Sequence, residues 1–137
     1  MNMDQQKKEM LEALSGAEKV LIGIGGEWKL KDDGRDVRLR CLADEAQREL
    51  KAAYEALWDL VRDKDYYVVT TVTDGAVYDT DFDSKRVVAP CGNIHWRQCS
   101  KACTKDIWEE GEVPEDTCPH CRAPLTGNTV EAETYIE

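Results

Sequence analysis

The spacing of apolar residues changes character several times along the chain, and each change predicts an element. In the opening segment "MNMDQQKKEMLEAL", Met10, Leu11 and Leu14 recur at helical spacing among charged residues, with a cap available at Asp4 and a stop at Ser15 and Gly16. A short amphipathic helix that packs by this stripe is expected. In "EKVLIGIGGEW", Val20, Leu21 and Ile22 form a brief apolar run before a cluster of glycines, as in a buried strand of a parallel sheet that ends in a turn. The following "KLKDDGRDVRLR" has no apolar period and reads as a solvated loop or short hairpin. From Leu42 to about Arg62, residues Ala46, Leu50, Ala53, Tyr54, Leu57, Trp58 and Val61 return with the helical period, predicting a helix with one buried face anchored by Trp58. The β-branched and aromatic run "DYYVVTTVTDG" predicts a second strand, and "RVVAP" a third that Pro90 closes. Strand, helix, strand is a βαβ unit, so the fold class is α/β with a parallel sheet. Beyond Pro90 the pattern gives way to cysteines, tryptophans and polar turns, the composition of a small metal-stapled module.

Composition narrows the partners. The 137 residues include 28 acidic and 18 basic side chains, a net charge of -10 that repels phosphate backbones and anionic lipid surfaces. Nucleic acid and membrane are therefore excluded as partners. The first residues lack the apolar core of a signal peptide, and no stretch approaches the roughly 18 apolar residues of a spanning helix, so a cytoplasmic protein is expected.

Four of the six cysteines stand at ligand spacing. Three residues separate Cys99 from Cys103, two separate Cys118 from Cys121, and fourteen lie between the pairs. Two such knuckles can aim four thiolates at the corners of one tetrahedron, the geometry of a closed structural zinc site. Two disulfides, or four unrelated buried thiols, are the competing accounts; reduced thiols holding zinc fit the spacing and the compartment better. His120, inside the second knuckle, reads as a knuckle residue. His95, in "PCGNIHWRQC", reads as a packed or hydrogen-bonded residue of a strand entering the ribbon, on one face with Arg97 and Cys99.

In order, the chain has a strand ending in glycines, a strand ending "TTVTDG" (Thr70 to Gly75), and a glycine turn eight residues ahead of the first ribbon cysteine. That order resembles the sirtuins, the NAD-dependent protein deacylase and ADP-ribosyl-transfer family, and is most similar to short, divergent bacterial-type members. "QCSKAC" (Gln98 to Cys103), "CPHCRAPL" (Cys118 to Leu125) and "NTVEAETYIE" (Asn128 to Glu137) carry the likeness. The resemblance implies a partial Rossmann-like segment over residues 1–90, then a zinc-ribbon segment with a return strand over 91–137, in one compact domain. It implies Cys99, Cys103, Cys118 and Cys121 as zinc ligands, Gly23 and Gly25 of "GIGGE" beside the diphosphate of NAD, and Asp74 beside the nicotinamide ribose.

The departures are as specific as the matches. Glu27 stands where the family has serine, Val72 where it has asparagine, and Cys91, ahead of Gly92, where it has its general-base histidine. Neither the family's cofactor loop after the first strand nor its Rossmann strands after the ribbon have a counterpart, so weak or absent NAD binding is expected. Cys91 is the candidate catalytic residue, yet a thiol does not reproduce an imidazole that titrates near neutral pH. The expectation is a minimal, catalytically degenerate sirtuin-like zinc protein acting as a binding or structural module, with a protein partner or a second copy of itself. The alternative is NAD-dependent ADP-ribosyl or acyl transfer, with Gly23, Gly25 and Asp74 lining the cofactor and Cys91 or His95 near the reacting ribose.

Overall fold

The computed structural model describes residues 2–30 and 45–137 and contains two three-stranded sheets, one in each part of the chain. Helix α1 spans Met3–Gly16. Its cap is Asn2, not Asp4: the Asn2 side chain accepts from Gln5 N at 2.8 Å, and Asp4 sits in the first turn, where its charge meets the positive end of the helix. The expected packed stripe is also corrected. Met10 and Leu11 are 70% and 53% exposed, and only Leu14 reaches the core. The last turn is instead tied down by Lys64, whose Nζ donates to Ala17 O at 2.7 Å.

Strand β1 (Lys19–Ile24), helix α2 (Glu45–Val61), strand β2 (Asp65–Thr70) and strand β3 (Val87–Val88) form the predicted parallel sheet in the order β1-β2-β3. Along β2 burial alternates residue by residue: Tyr66, Val68 and Thr70 face α2, and Tyr67 and Val69 face away. Helix α2 buries Tyr54 and Val61 completely, with Leu50, Leu57 and Trp58 beside them, which matches the periodic face read from sequence. Trp58, Tyr66 and Phe82 meet edge to face with centroids 5.3 to 5.8 Å apart, and Asp83 N donates to the Tyr66 hydroxyl. The apolar run Val20–Ile22 was expected to be buried, but among the described residues the sheet is covered on one side only, and Leu21 is 75% exposed. Of the expected loop 29–40, only Lys29 and Leu30 are described. Leu30 is buried, although the polar run it opens was expected to be solvated; the start of the expected helix at Leu42 lies outside the described residues.

The second sheet is antiparallel, with β4 (Gly92–Cys99) between β5 (Ile107–Glu109) and β6 (Leu125–Thr129). Its apolar core is sparse: Cys99, Cys118, Ala123 and Leu125, flanked by Trp108 and Val113. The β4–β6 pairing breaks between Asn93 and Arg97. Gly92, at φ +86°, makes that pairing sterically possible, since a Cβ there would lie 2.0 Å from Asn128 O. Gln98, fully buried, fastens the terminal segment: its Oε1 accepts from Asn128 Nδ2 and Ile136 N, and its Nε2 donates to Thr134 O. The two sheets meet where Ile94 N donates to Thr73 O at 2.8 Å and Tyr78 lies 5.4 Å from Trp96. No helix among the described residues is long and apolar enough to cross a membrane.

Candidate functional site

The two predicted cysteine pairs come together at one end of the ribbon. All four sulfurs lie within 4.8 Å of one another, and the closest approaches, Cys99 to Cys121 and Cys103 to Cys118, are both 3.5 Å. A zinc ion with Zn–S bonds of about 2.3 Å places its sulfurs about 3.8 Å apart, so the cluster fits a tetrahedral ion, whereas the separations are far too long for disulfides. Local backbone supports the fit. Each knuckle turns through a left-handed non-glycine residue, Ala102 and Arg122, and each of their N–H groups bonds back to the first cysteine of its pair. Backbone N–H groups of Cys103 and Lys101 outweigh burial at Cys99 and lower its thiol to about 6, while the neighbouring thiols, Cys121 first, push Cys103 up, so without a metal the cluster shares protons among its sulfurs. These four residues would hold one zinc ion as a cross-link, and four thiolates leave no open coordination position. His120 stays outside, 3.0 Å from Asp106 on the surface.

Beyond the carboxyl ends of β1 and β2 lies a crevice of about 260 Å³ lined by Gly26, Lys29, Thr71, Val72, Thr73, Asp74, Ile94 and Glu131. Asp74 is buried and already committed. Its two oxygens accept from Leu30 N and Ala76 N, which places the Leu30 amide as a partner that sequence did not reveal. Burial raises the Asp74 carboxyl above its usual range; the two N–H donors and nearby His95 oppose the shift without cancelling it. Gly23, Gly25 and Gly26 line the end of β1 with space for a Cβ at each and no left-handed φ, so the fold itself does not demand glycine there.

Cys91 sits half-buried in the turn before β4, its carbonyl accepting from Val130 N, and it does not line this crevice. The face expected for His95, Arg97 and Cys99 is divided among three neighbours. His95 lies in the unpaired span of β4 and reaches Glu110, Arg97 pairs with Asp116, and Cys99 joins the thiol cluster. His95 is buried, with Nδ1 2.8 Å from Glu110 Oε2 and Nε2 without a partner among the described residues. Gly75, at φ +75°, lies against it: a Cβ there would come within 3.0 Å of the His95 ring and 2.9 Å of Asn93 Oδ1. Glu110 carried no signal in the sequence, because it lies in the turn after β5, where no period applies.

As for the NAD implied by the resemblance, the open glycines suit a close backbone approach, but the other groups do not fit a dinucleotide diphosphate. The crevice is smaller than the roughly 300 Å³ at which ligand pockets begin, and its described lining residues offer Asp74 and Glu131 against one cation, Lys29.

No family model matches the chain, and no curated protein matches it either. Among solved structures, one described as giving the structural basis for the mechanism and regulation of Sir2 enzymes superposes with a TM-score of 0.56 at 17% identity, over 93% of this chain. The chain spans 65% of the length of that neighbour. At such identity the likeness concerns the fold, which is sirtuin-like: a parallel α/β sheet followed by a four-cysteine ribbon.

Proposed function

We propose that the chain is a minimal sirtuin-like zinc protein that acts as a binding or structural module and carries no NAD-dependent catalysis of its own. The observation that carries this reading is the state of the crevice where such chemistry would occur. Asp74, the residue matched to the cofactor ribose, is turned inward onto Leu30 N and Ala76 N, beside Val72 and opposite Glu131. The half-buried thiol of Cys91 supplies no imidazole, and the four-thiol cluster supplies stiffness in place of an open metal. In this reading the zinc holds β4 and the knuckles as a rigid platform and the sheet supplies the rest of a docking surface. The second reading, NAD-dependent ADP-ribosyl or acyl transfer, draws on Gly23, Gly25 and Gly26, whose open surroundings are what a closely approaching diphosphate needs.

Isothermal titration of the zinc-loaded protein with NAD and with ADP-ribose separates the two. No heat at millimolar ligand is the expected result. Saturable binding, or a mass increase after incubation with NAD, would overturn the proposal in favour of the enzyme.

A further inference from the structure

The open side of the parallel sheet and helix α1 are two apolar surfaces that lack cover among the described residues. Leu21, Tyr67, Val69 and Val88 stand on the side of the sheet away from α2, at 36% to 75% exposure. Parallel sheets are almost always covered on both faces, so a bare face of this composition is a surface in search of a helix. Gly23 is the register partner of Val69, and a Cβ there would meet nothing within 4 Å, which leaves a hollow in the band beside Val69.

Helix α1 has the complementary defect. Met3, Met10 and Leu14 fall on one stripe with Leu11 beside it, but only Leu14, in the last turn, touches the core. Met3 and Met10 are 69% and 70% exposed, and no residue of the helix is buried. A helix of fourteen residues is marginal in water by itself, because nucleation is costly and its stability comes from packing an apolar face. The dimensions of the two surfaces agree: α1 is about 21 Å long, and the six-residue strands β1 and β2 are about 20 Å. Flexible methionine side chains fill irregular gaps such as the hollow at Gly23. Charge agrees as well. Lys19 and Arg86 against Asp65 leave the border of the sheet face one positive, and Asp4, Glu9 and Glu12 against Lys7 and Lys8 leave the helix one negative.

The helix of the same chain does not reach this face. Only Ala17 and Glu18 join α1 to β1, Leu14 packs on the side that α2 closes, and Lys64 Nζ donates to Ser15 O and Ala17 O. A helix on the open face therefore comes from another molecule, and two-fold symmetry lets each copy give one helix and receive one. We propose that two copies of this chain associate by exchanging α1, each laying Met3, Met10 and Leu11 along the apolar band of the other. This names the partner of the module described above and rests on that reading. It uses no lining residue of the crevice beside Asp74, so the outcome of the NAD titration and the outcome of the test below are independent.

The test is sedimentation velocity on the zinc-loaded full chain, from about 1 µM to about 500 µM, which brackets the micromolar range of a weak complex. A reversible monomer–dimer equilibrium is expected. Met10→Glu on the helix and Leu21→Lys on the sheet, both at exposed positions, should each weaken dimerisation at least tenfold. Mixed in equal amounts, the two variants should recover association, because one contact is then unaltered and the other pairs the new carboxylate with the new ammonium. In a dimer of one methyl-labelled and one unlabelled copy, nuclear Overhauser effects should join the Met10 methyl to Tyr67 or Val88 across the two molecules. Zinc content and circular dichroism verify each fold; if Leu21→Lys loses either, Met10→Glu and the intermolecular contacts decide. A monomer at every concentration, or a dimer that Met10→Glu leaves intact, would overturn the exchange. So would contacts of Val69 and Val88 to another segment of the same chain in place of the partner's helix.

Discussion

The two sheets of this chain are held together by different physics. The parallel sheet has a continuous apolar core in which Tyr54, Val61 and Val68 are fully or almost fully buried and three aromatic rings meet edge to face. The ribbon has a core of four buried residues, two of them cysteines, and in place of apolar area it has a four-thiol cluster shaped for a metal and the buried amide of Gln98. A segment of some forty residues buries too little surface to stand without such a staple. The difference teaches that a substitution of similar size will act differently in each half. In the first it opens a cavity; in the second it removes a tie.

Metal removal is the strongest way to break that comparison. Structural zinc in small modules supplies about 10–16 kcal/mol of apparent binding free energy, so chelation, or Cys118→Ser, should unfold the ribbon. Hydrogen exchange should accelerate across β4, β5 and β6 while amides of β2 stay protected; equal loss in β2 would show one cooperative unit. Next in size, Trp58→Ala should cost about 3 kcal/mol by emptying the space beside Tyr66 and Phe82. Urea denaturation followed with a zinc competition assay checks it, because the metal affinity of the folded protein should not change.

Gly75→Ala tests the junction. It places a methyl against Asn93 and His95 in a left-handed turn, and a loss of about 1–3 kcal/mol is expected. The urea midpoint should fall while Trp58 emission and bound zinc in the folded state are retained.

The smallest effect concerns acid. The folded-state value of Asp74 lies above its ordinary 3.8, so the folded chain holds that proton more tightly than the unfolded one. Its stabilising contribution is fully present below 3.8 and is lost as pH rises through the raised value. Asp74→Asn, uncharged throughout, should flatten that decline. The difference between the urea midpoints of the two proteins across the acidic range isolates it, since the zinc thiolates protonate alike in both.

Much of this was legible in the residues. Period alone placed α2 and its buried face, and the β-branched and aromatic run "DYYVVTTVTDG" placed β2, without saying which of its residues turn inward. Ligand spacing identified the thiol cluster, because four cysteines at knuckle spacing have few other uses. What failed to show was what depends on contacts between distant segments. Leu30 hides in a polar run, yet its amide lies on a carboxylate 44 residues away. Asn2 took the cap from Asp4, two positions upstream of it. The interrupted pairing of β4, which sends His95 to Glu110, is set by β6 and has no trace in "GNIHWRQC". The exposure of Leu21 also defeats a local reading: an apolar run specifies burial only where another element arrives to cover it.

That uncovered side has a colloidal consequence. Leu21, Tyr67, Val69 and Val88 form an apolar band across all three parallel strands, at 36% to 75% exposure. Between copies of the chain, attraction of these bands is opposed by the mutual repulsion of ten excess negative charges. The reach of that repulsion is set by the buffer, about 8 Å at physiological ionic strength and about 3 Å in molar salt. Salt concentration is therefore the control by which the apparent size of the particle, read by light scattering, should be moved.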